Sequence, residues 1–292
     1  MPRAPRLHAP GAVYHVTARG NHRQDIFYKL ADRQLLDEIM ADAVQRTGAR
    51  VHAYCWMTNH VHLLVQVAEQ PLGNLMQRVA GRFARAIQKD LSTTGHLFEN
   101  RYHALLVDVD HYFLELIRYI HLNPVRAHIC EAPQQYRWSS HRAYLGKSVQ
   151  PWVYTDFGLS LFSPDLARAR VLFQSFVEQR LSSADADLRL APHPKERRVL
   201  GTDQFLEQLA LHASTRRSSV SLESLAQAIC NERRISLEAL RSRSRERHLC
   251  DARALIASRA IAQQAASLSA VARFLNRSVS ALSRAVSRMP IR

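Results

Sequence analysis

The order in which hydrophobic periods succeed one another before residue 110 restricts this chain to few folds. Val13 to Ala18 reads as a strand that Arg19-Gly20-Asn21 ends. From Asp32 to Thr47, Leu35, Leu36, Ile39, Met40, Ala43 and Val44 recur at helical spacing, and Gly48 follows as a stop. Arg50–Trp56 and His60–Val67 predict two strands joined around Met57-Thr58-Asn59. Pro71 to Asp90 predicts a second helix, with Leu72, Leu75, Met76, Val79 and Phe83 on one stripe. His103 to Val109 predicts a fourth strand. The sequence β-α-β-β-α-β is that of the split βαβ, ferredoxin-like α+β fold, here with an added helix from about Asp110 to Asn123.

Three regions are expected: residues 1–145 as the mixed domain, 146–200 as an extension and linker, and 201–292 as a small all-helical domain. A helix is expected from Pro164 to Arg180, and Ser182 to Pro194 is the linker candidate. A length of 292 residues with 47% apolar content excludes wholesale disorder. No run of about 18 apolar residues occurs, which argues against a membrane span. The first residues lack the apolar core of a secretion signal, so a cytoplasmic, nucleoid-associated protein is expected. The four cysteines form no CxxC pair, consistent with reduced, buried thiols. The formal net charge of +15 points to a polyanionic partner, nucleic acid above all. From Arg216 onward 15 arginines face five acidic residues, so that stretch carries two thirds of the excess.

Chemistry concentrates in Tyr54-Cys-Trp-Met-Thr-Asn-His-Val-His-Leu-Leu-Val65. His60 and His62 are two apart on a strand, which puts both imidazoles on one sheet face and Val61, Leu63 and Val65 on the other. Two imidazoles can hold a divalent ion but cannot close a structural zinc site, which wants four ligands. In the helix that follows, Phe113, Ile117 and Ile120 form a stripe for the sheet, and Tyr112, Tyr119 and Asn123 form the neighbouring one. Pro124 disfavours helix at Asn123, which predicts that Asn123 ends the helix and can turn its amide toward a ligand. A phenol and an amide oxygen could then both reach the histidines. Glu115, one turn before Tyr119, could replace or assist Asn123.

Asn59-His-Val-His62, after Tyr54-Cys55, together with Tyr119-Ile-His-Leu-Asn-Pro-Val-Arg-Ala127, resembles the single-tyrosine HUH transposases, and among them the REP-associated tyrosine transposases. Arg19-Gly-Asn, Gly95-His-Leu-Phe-Glu-Asn-Arg-Tyr102 and Trp138-Ser-Ser140 fit the same pattern, so the resemblance covers about residues 8–180. It implies cleavage and joining of single-stranded or hairpin DNA through a 5′-phosphotyrosine on Tyr119, with Tyr112 as the rival nucleophile. It implies a Mg2+ or Mn2+ ion on His60, His62 and Asn123. A phenol with a pKa of about 10 needs such help at neutral pH. Arg19, Arg101 and Arg126 are candidate phosphate contacts.

Ser267 to Arg288 reads as helix, turn and helix, with the turn at Asn276-Arg277-Ser278. With Asp251–Ala266 it resembles the helix-turn-helix duplex-binding domain of the bacterial replication initiator. Arg277, Ser280 and Arg284 are the candidate duplex DNA contacts. Two alternatives stay open on the sequence: a non-catalytic DNA-binding regulator that keeps the fold, and a zinc hydrolase built on the HxH pair. Monomer and homodimer are equally compatible with it.

Overall fold

The computed structural model describes residues 8–179, 190–217, 221–263 and 265–287, in two compact units divided after Phe205. Most of the expected linker Ser182–Pro194, and Arg288 of the last expected helix, lie outside the described residues.

In the first unit, β1 (Val13–Arg19), α1 (Leu30–Thr47), β2 (Arg50–Trp56), β3 (His60–Gln66), α2 (Leu72–Asp90), β4 (His103–Val107) and α3 (Val109–Arg126) follow in the predicted order. With β5 (Val199–Leu200) at the edge, the sheet order is β2-β3-β1-β4-β5, and all pairings among the first four strands are antiparallel. This is the ferredoxin-like arrangement in an α+β unit. Gly48 ends α1 in the left-handed region at φ 67°, where a Cβ is disfavoured. Leu72, Leu75, Met76, Val79, Phe83 and Ile87 of α2 are all buried, and α2 packs along α1. The fourth strand is shorter than expected. Asp108 turns the chain directly into α3, and its carboxylate accepts from Thr202 Oγ1 at 3.1 Å.

The stretch 146–200 does more than link. The helix expected at Pro164–Arg180 is α6 (Leu166–Glu178), which packs against α3. Two short helices, α4 (His141–Tyr144) and α5 (Asp156–Ser160), precede it. Val199–Leu200 adds β5, a fifth strand parallel to β4. Two residues are too few to show an alternation, so nothing in the sequence announced that strand.

A second correction concerns α3. It does not stop at Asn123 but runs through Pro124 to Arg126. Proline cannot donate to the Ile120 carbonyl. The turn nonetheless closes, because Ala127 N donates to Asn123 O and Ile129 N to Pro124 O, each at 2.9 Å. Pro124 is also buried, so packing outweighs the local preference of the residue before proline.

After α7 (Asp203–Arg217), the second unit consists of α8 (Leu222–Arg233), α9 (Leu237–Arg241), α10 (Arg247–Ala262), α11 (Leu268–Phe274) and α12 (Val279–Ser287). Its core joins Leu225, Ile229, Leu240, Leu249, Ile256, Val271, Leu275 and Leu282. Asn276, in the left-handed region at φ 53°, makes the turn between α11 and α12. Among the described residues no helix is long and apolar enough to cross a membrane.

Candidate active site

The site is assembled by strand register. The turn before β3 is closed by Met57 N donating to His60 O at 2.9 Å, which starts the strand at His60. Alternation then aims His60 and His62 at one sheet face. β1 pairs with β3 so that Thr17 faces His62 and Arg19 faces His60. His15 therefore lies diagonally across from His62 on the same face. The rings of His15 and His62 stack at 5.3 Å, with His15 Nε2 3.1 Å from His62 Nδ1. His60 meets His62 edge to face at 4.9 Å.

Helix α3 covers this face. Phe113, Leu116, Ile117 and Ile120 are buried, and the helix packs against β2 and β3. Tyr119, on the adjoining stripe, stands edge-on to His62 at 5.6 Å and to His15 at 6.0 Å. The Arg126 guanidinium lies 5.4 Å from the centre of the Tyr119 ring. Asn123 Nδ2 donates to Tyr119 O at 2.8 Å, so the amide folds back along the helix beside the tyrosine.

All three imidazoles are held neutral. Desolvation, with the neighbouring His103 adding to it, brings His15 down to about 4. Desolvation and the Arg19 charge bring His60 to about 4. His62 lies well below its ordinary value through burial, with His15, His60 and Arg19 contributing. Neutral imidazole is the form that ligates a metal.

Among the described residues no group of three or more His, Cys, Asp or Glu converges as a closed metal site. His15 turns its Nε2 onto His62. Two imidazoles are too few to close a structural zinc site. His60 Nδ1 lies 2.7 Å from Asn59 Oδ1, and Asn59 Nδ2 donates to Arg23 O at 2.9 Å. His60 Nε2 is therefore the nitrogen left to ligate.

The remaining sequence candidates separate. Tyr112 sits two turns before Tyr119, and among the described residues no ring contact joins it to His15, His60 or His62. The Glu115 carboxylate pairs with Arg118, whose guanidinium lies 4.3 Å from the Phe176 ring centre on α6, so Glu115 faces away from the site. Arg19 and Arg101 are exposed. Glu99 N donates to Arg19 O and Asn21 N to Leu97 O, so the segment carrying Arg101 crosses the end of β1. Trp138-Ser-Ser140 lines the outer edge of β2 through Trp56 N to Trp138 O and Ser140 N to Tyr54 O.

In the second unit, Ser280 and Arg284 lie one turn apart on α12 and are exposed. Arg277 is placed differently from the expectation. Its guanidinium is half-buried and donates to the carbonyls of Ser242 and Ser244. Arg253 donates to Leu240 O and Ser244 O at 2.8 and 2.7 Å, so these two arginines brace the turn after α9. Sequence reasoning missed His15 and Asn59. Asn59 adjoins the HxH pair and could have been weighed, whereas His15 gave no signal, because which strand β1 pairs with is not written in its own spacing.

A family model described as IS200-like transposase matches residues 9–123, a span that holds His15, His60, His62, Tyr119 and Asn123 and stops short of Arg126. Among solved structures the chain is similar to a REP-associated tyrosine transposase bound to a REP hairpin. The two are 13% identical with a TM-score of 0.45, over 53% of this chain and 91% of that one. It is also similar to a candidate transposase from Deinococcus radiodurans R1, at 21% identity and a TM-score of 0.29, over 46% of this chain and 94% of that one. No curated protein matches the chain. On the family match, residues 9–123 are similar to the IS200-like transposases.

Proposed function

We propose that the first unit is a metal-dependent DNA strand transferase whose nucleophile is Tyr119, acting on single-stranded or hairpin DNA. The observation that carries this reading is the contact of the Tyr119 ring with His62 and His15, with the Arg126 cation over the same ring. The phenol oxygen attacks the phosphorus of a phosphodiester. The bond to the 3′ oxygen breaks and that oxygen takes a proton, leaving a 5′-phosphotyrosine and a free 3′-hydroxyl. Attack by the 3′-hydroxyl of another strand reverses the step and restores the phenol. The bond count is conserved, so no nucleotide hydrolysis is needed. Arg126 and Arg19 supply positive charge at the two ends of the site, where a phosphate would enter.

His60, His62 and the Asn123 amide are the residues that would hold Mg2+ or Mn2+. Bound there, the ion would neutralise a nonbridging phosphate oxygen, and neutral ligands would leave its full charge for that purpose. Hairpin-forming repeats are the substrate class proposed, in line with the hairpin bound by the similar solved transposase. The second unit is proposed to hold duplex DNA through α11 and α12, with Ser280 and Arg284 toward the groove and Arg277 as a brace. Holding a duplex nearby would raise the effective concentration of the cleavage site.

The test is covalent capture. End-labelled hairpin oligonucleotides are incubated with the protein and Mn2+ or Mg2+ and run on a denaturing gel. A metal-dependent adduct that disappears in Tyr119→Phe and in His60→Ala is expected. DNA binding without an adduct under any condition would overturn the enzymatic reading in favour of a DNA-binding regulator.

A further inference from the structure

A neutral imidazole carries one N–H and one lone pair, so a ring that ligates through Nε2 must hold its proton on Nδ1 and needs an acceptor there. His60 has one: Asn59 Oδ1 at 2.7 Å, an atom that can only accept, with the amide flip fixed by Asn59 Nδ2 donating to Arg23 O. The corresponding atom of His62 faces His15 Nε2 at 3.1 Å, with the two rings within 10° of parallel. His15 sits two residues along β1 from Thr17, the residue opposite His62, so the sheet register holds it on the same face. Its ring also abuts Tyr119. No step of the proposed reaction uses His15.

We infer that His15 is a positioning residue: it accepts the Nδ1 proton of His62 and so fixes the tautomer that leaves His62 Nε2 free to ligate. This rests on His62 being a metal ligand in the proposed reaction. His15 must then carry its own proton on Nδ1. The reverse arrangement, with His15 donating, puts a proton on the one His62 nitrogen that could reach an ion. Asn59 cannot make that error for His60, but an imidazole can, so the proton position on His62 is the property to read.

The first readout needs neither metal nor DNA. A long-range 1H–15N histidine spectrum of the metal-free, full-length protein at neutral pH reports which nitrogen of His62 is protonated. The Nδ1–H form is expected. His15→Phe keeps a flat ring against Tyr119 but accepts nothing. In this variant His62 should move to the Nε2–H form or a mixture, and affinity for Mn2+ alone, measured by calorimetry, should fall by about 10- to 100-fold. His15→Gln, whose amide oxygen reaches close to the place of Nε2, should restore both. An Nε2–H form of His62 in the wild type overturns the inference whether or not the variants fold. An unchanged spectrum and Mn2+ affinity in His15→Phe overturn it as well. Strand transfer fails on a different observation, a wild type that binds Mn2+ and hairpin DNA yet forms no adduct.

Discussion

Helix α3 has histidines on two sides. On one, Tyr119 meets His15 and His62; on the other, His121 meets His141 and Ser140. Both groups are neutral for the same reason, since burial holds His121 and His62 well below the ordinary value and His141 at about 4. His121 is closed in. Its Nε2 lies 2.7 Å from Ser140 Oγ and its Nδ1 3.4 Å from His141 Nδ1, while Tyr144 and Phe173 cover the rings. Ser140 in turn accepts from Tyr54 N at 3.0 Å, which ties the helix to β2. On the Tyr119 side the phenol and His60 are only half-buried, and Arg19 and Arg126 are exposed beside them. A depressed imidazole therefore does not mark a site by itself. What separates the two sides is access and cations at the rim.

Substitutions on the two sides of α3 should divide accordingly. Tyr119→Phe should abolish covalent capture, a loss on the order of 10³-fold or more in adduct formation, with unfolding by denaturant unchanged. Next, His60→Ala should lower Mn2+ affinity, read by calorimetry, by more than the about 10- to 100-fold typical of a residue that only supports a ligand. On the sealed side, His121→Leu should cost about 1–3 kcal/mol in denaturant unfolding by stripping Ser140 of a partner, while adduct yield at saturating oligonucleotide stays within a few-fold. Loss of the adduct at unchanged stability would erase the distinction between the sides.

The pH dependence is smaller. His141 is depressed from 6.5 to about 4 by burial, with the charge of Lys147 adding to it. Between those values the unfolded chain binds more protons, so stability is full above about pH 6.5 and falls as pH drops toward 4. His141→Phe should flatten that slope in thermal unfolding followed against pH. In the second unit, Arg284→Ala should reduce the salt slope of duplex binding by about one and leave adduct formation intact. Arg277→Ala should instead lower the stability of that unit.

Much of this fold is legible in the sequence because it is periodic. The strand alternation of β1 to β3, the apolar stripe of α2 and the Gly48 stop need no tertiary knowledge. The HxH pair and the Tyr119–Asn123 spacing are legible for the same reason, since each lies within one element. What escaped is what depends on pairing between elements. His15 becomes part of the site only through the β1–β3 register, and β5 exists only because β4 offers it an edge. Pro124 misled because the local rule at Asn123 is weaker than the burial of the proline. Arg277 misled because exposed and bracing arginines look alike until the carbonyls that receive them are in place.

The central claim is that Tyr119 is the nucleophile, and the most direct measurement is to locate the DNA on the chain. Arg118 lies between Tyr112 and Tyr119, so trypsin cuts the two tyrosines into separate peptides. The covalent complex formed with Mn2+ would be denatured, digested with nuclease and trypsin, and mapped by mass spectrometry. A nucleotide phosphate on the peptide Tyr119–Arg126 is the expected result. A phosphate on the peptide that contains Tyr112, or on any other residue, would contradict the account.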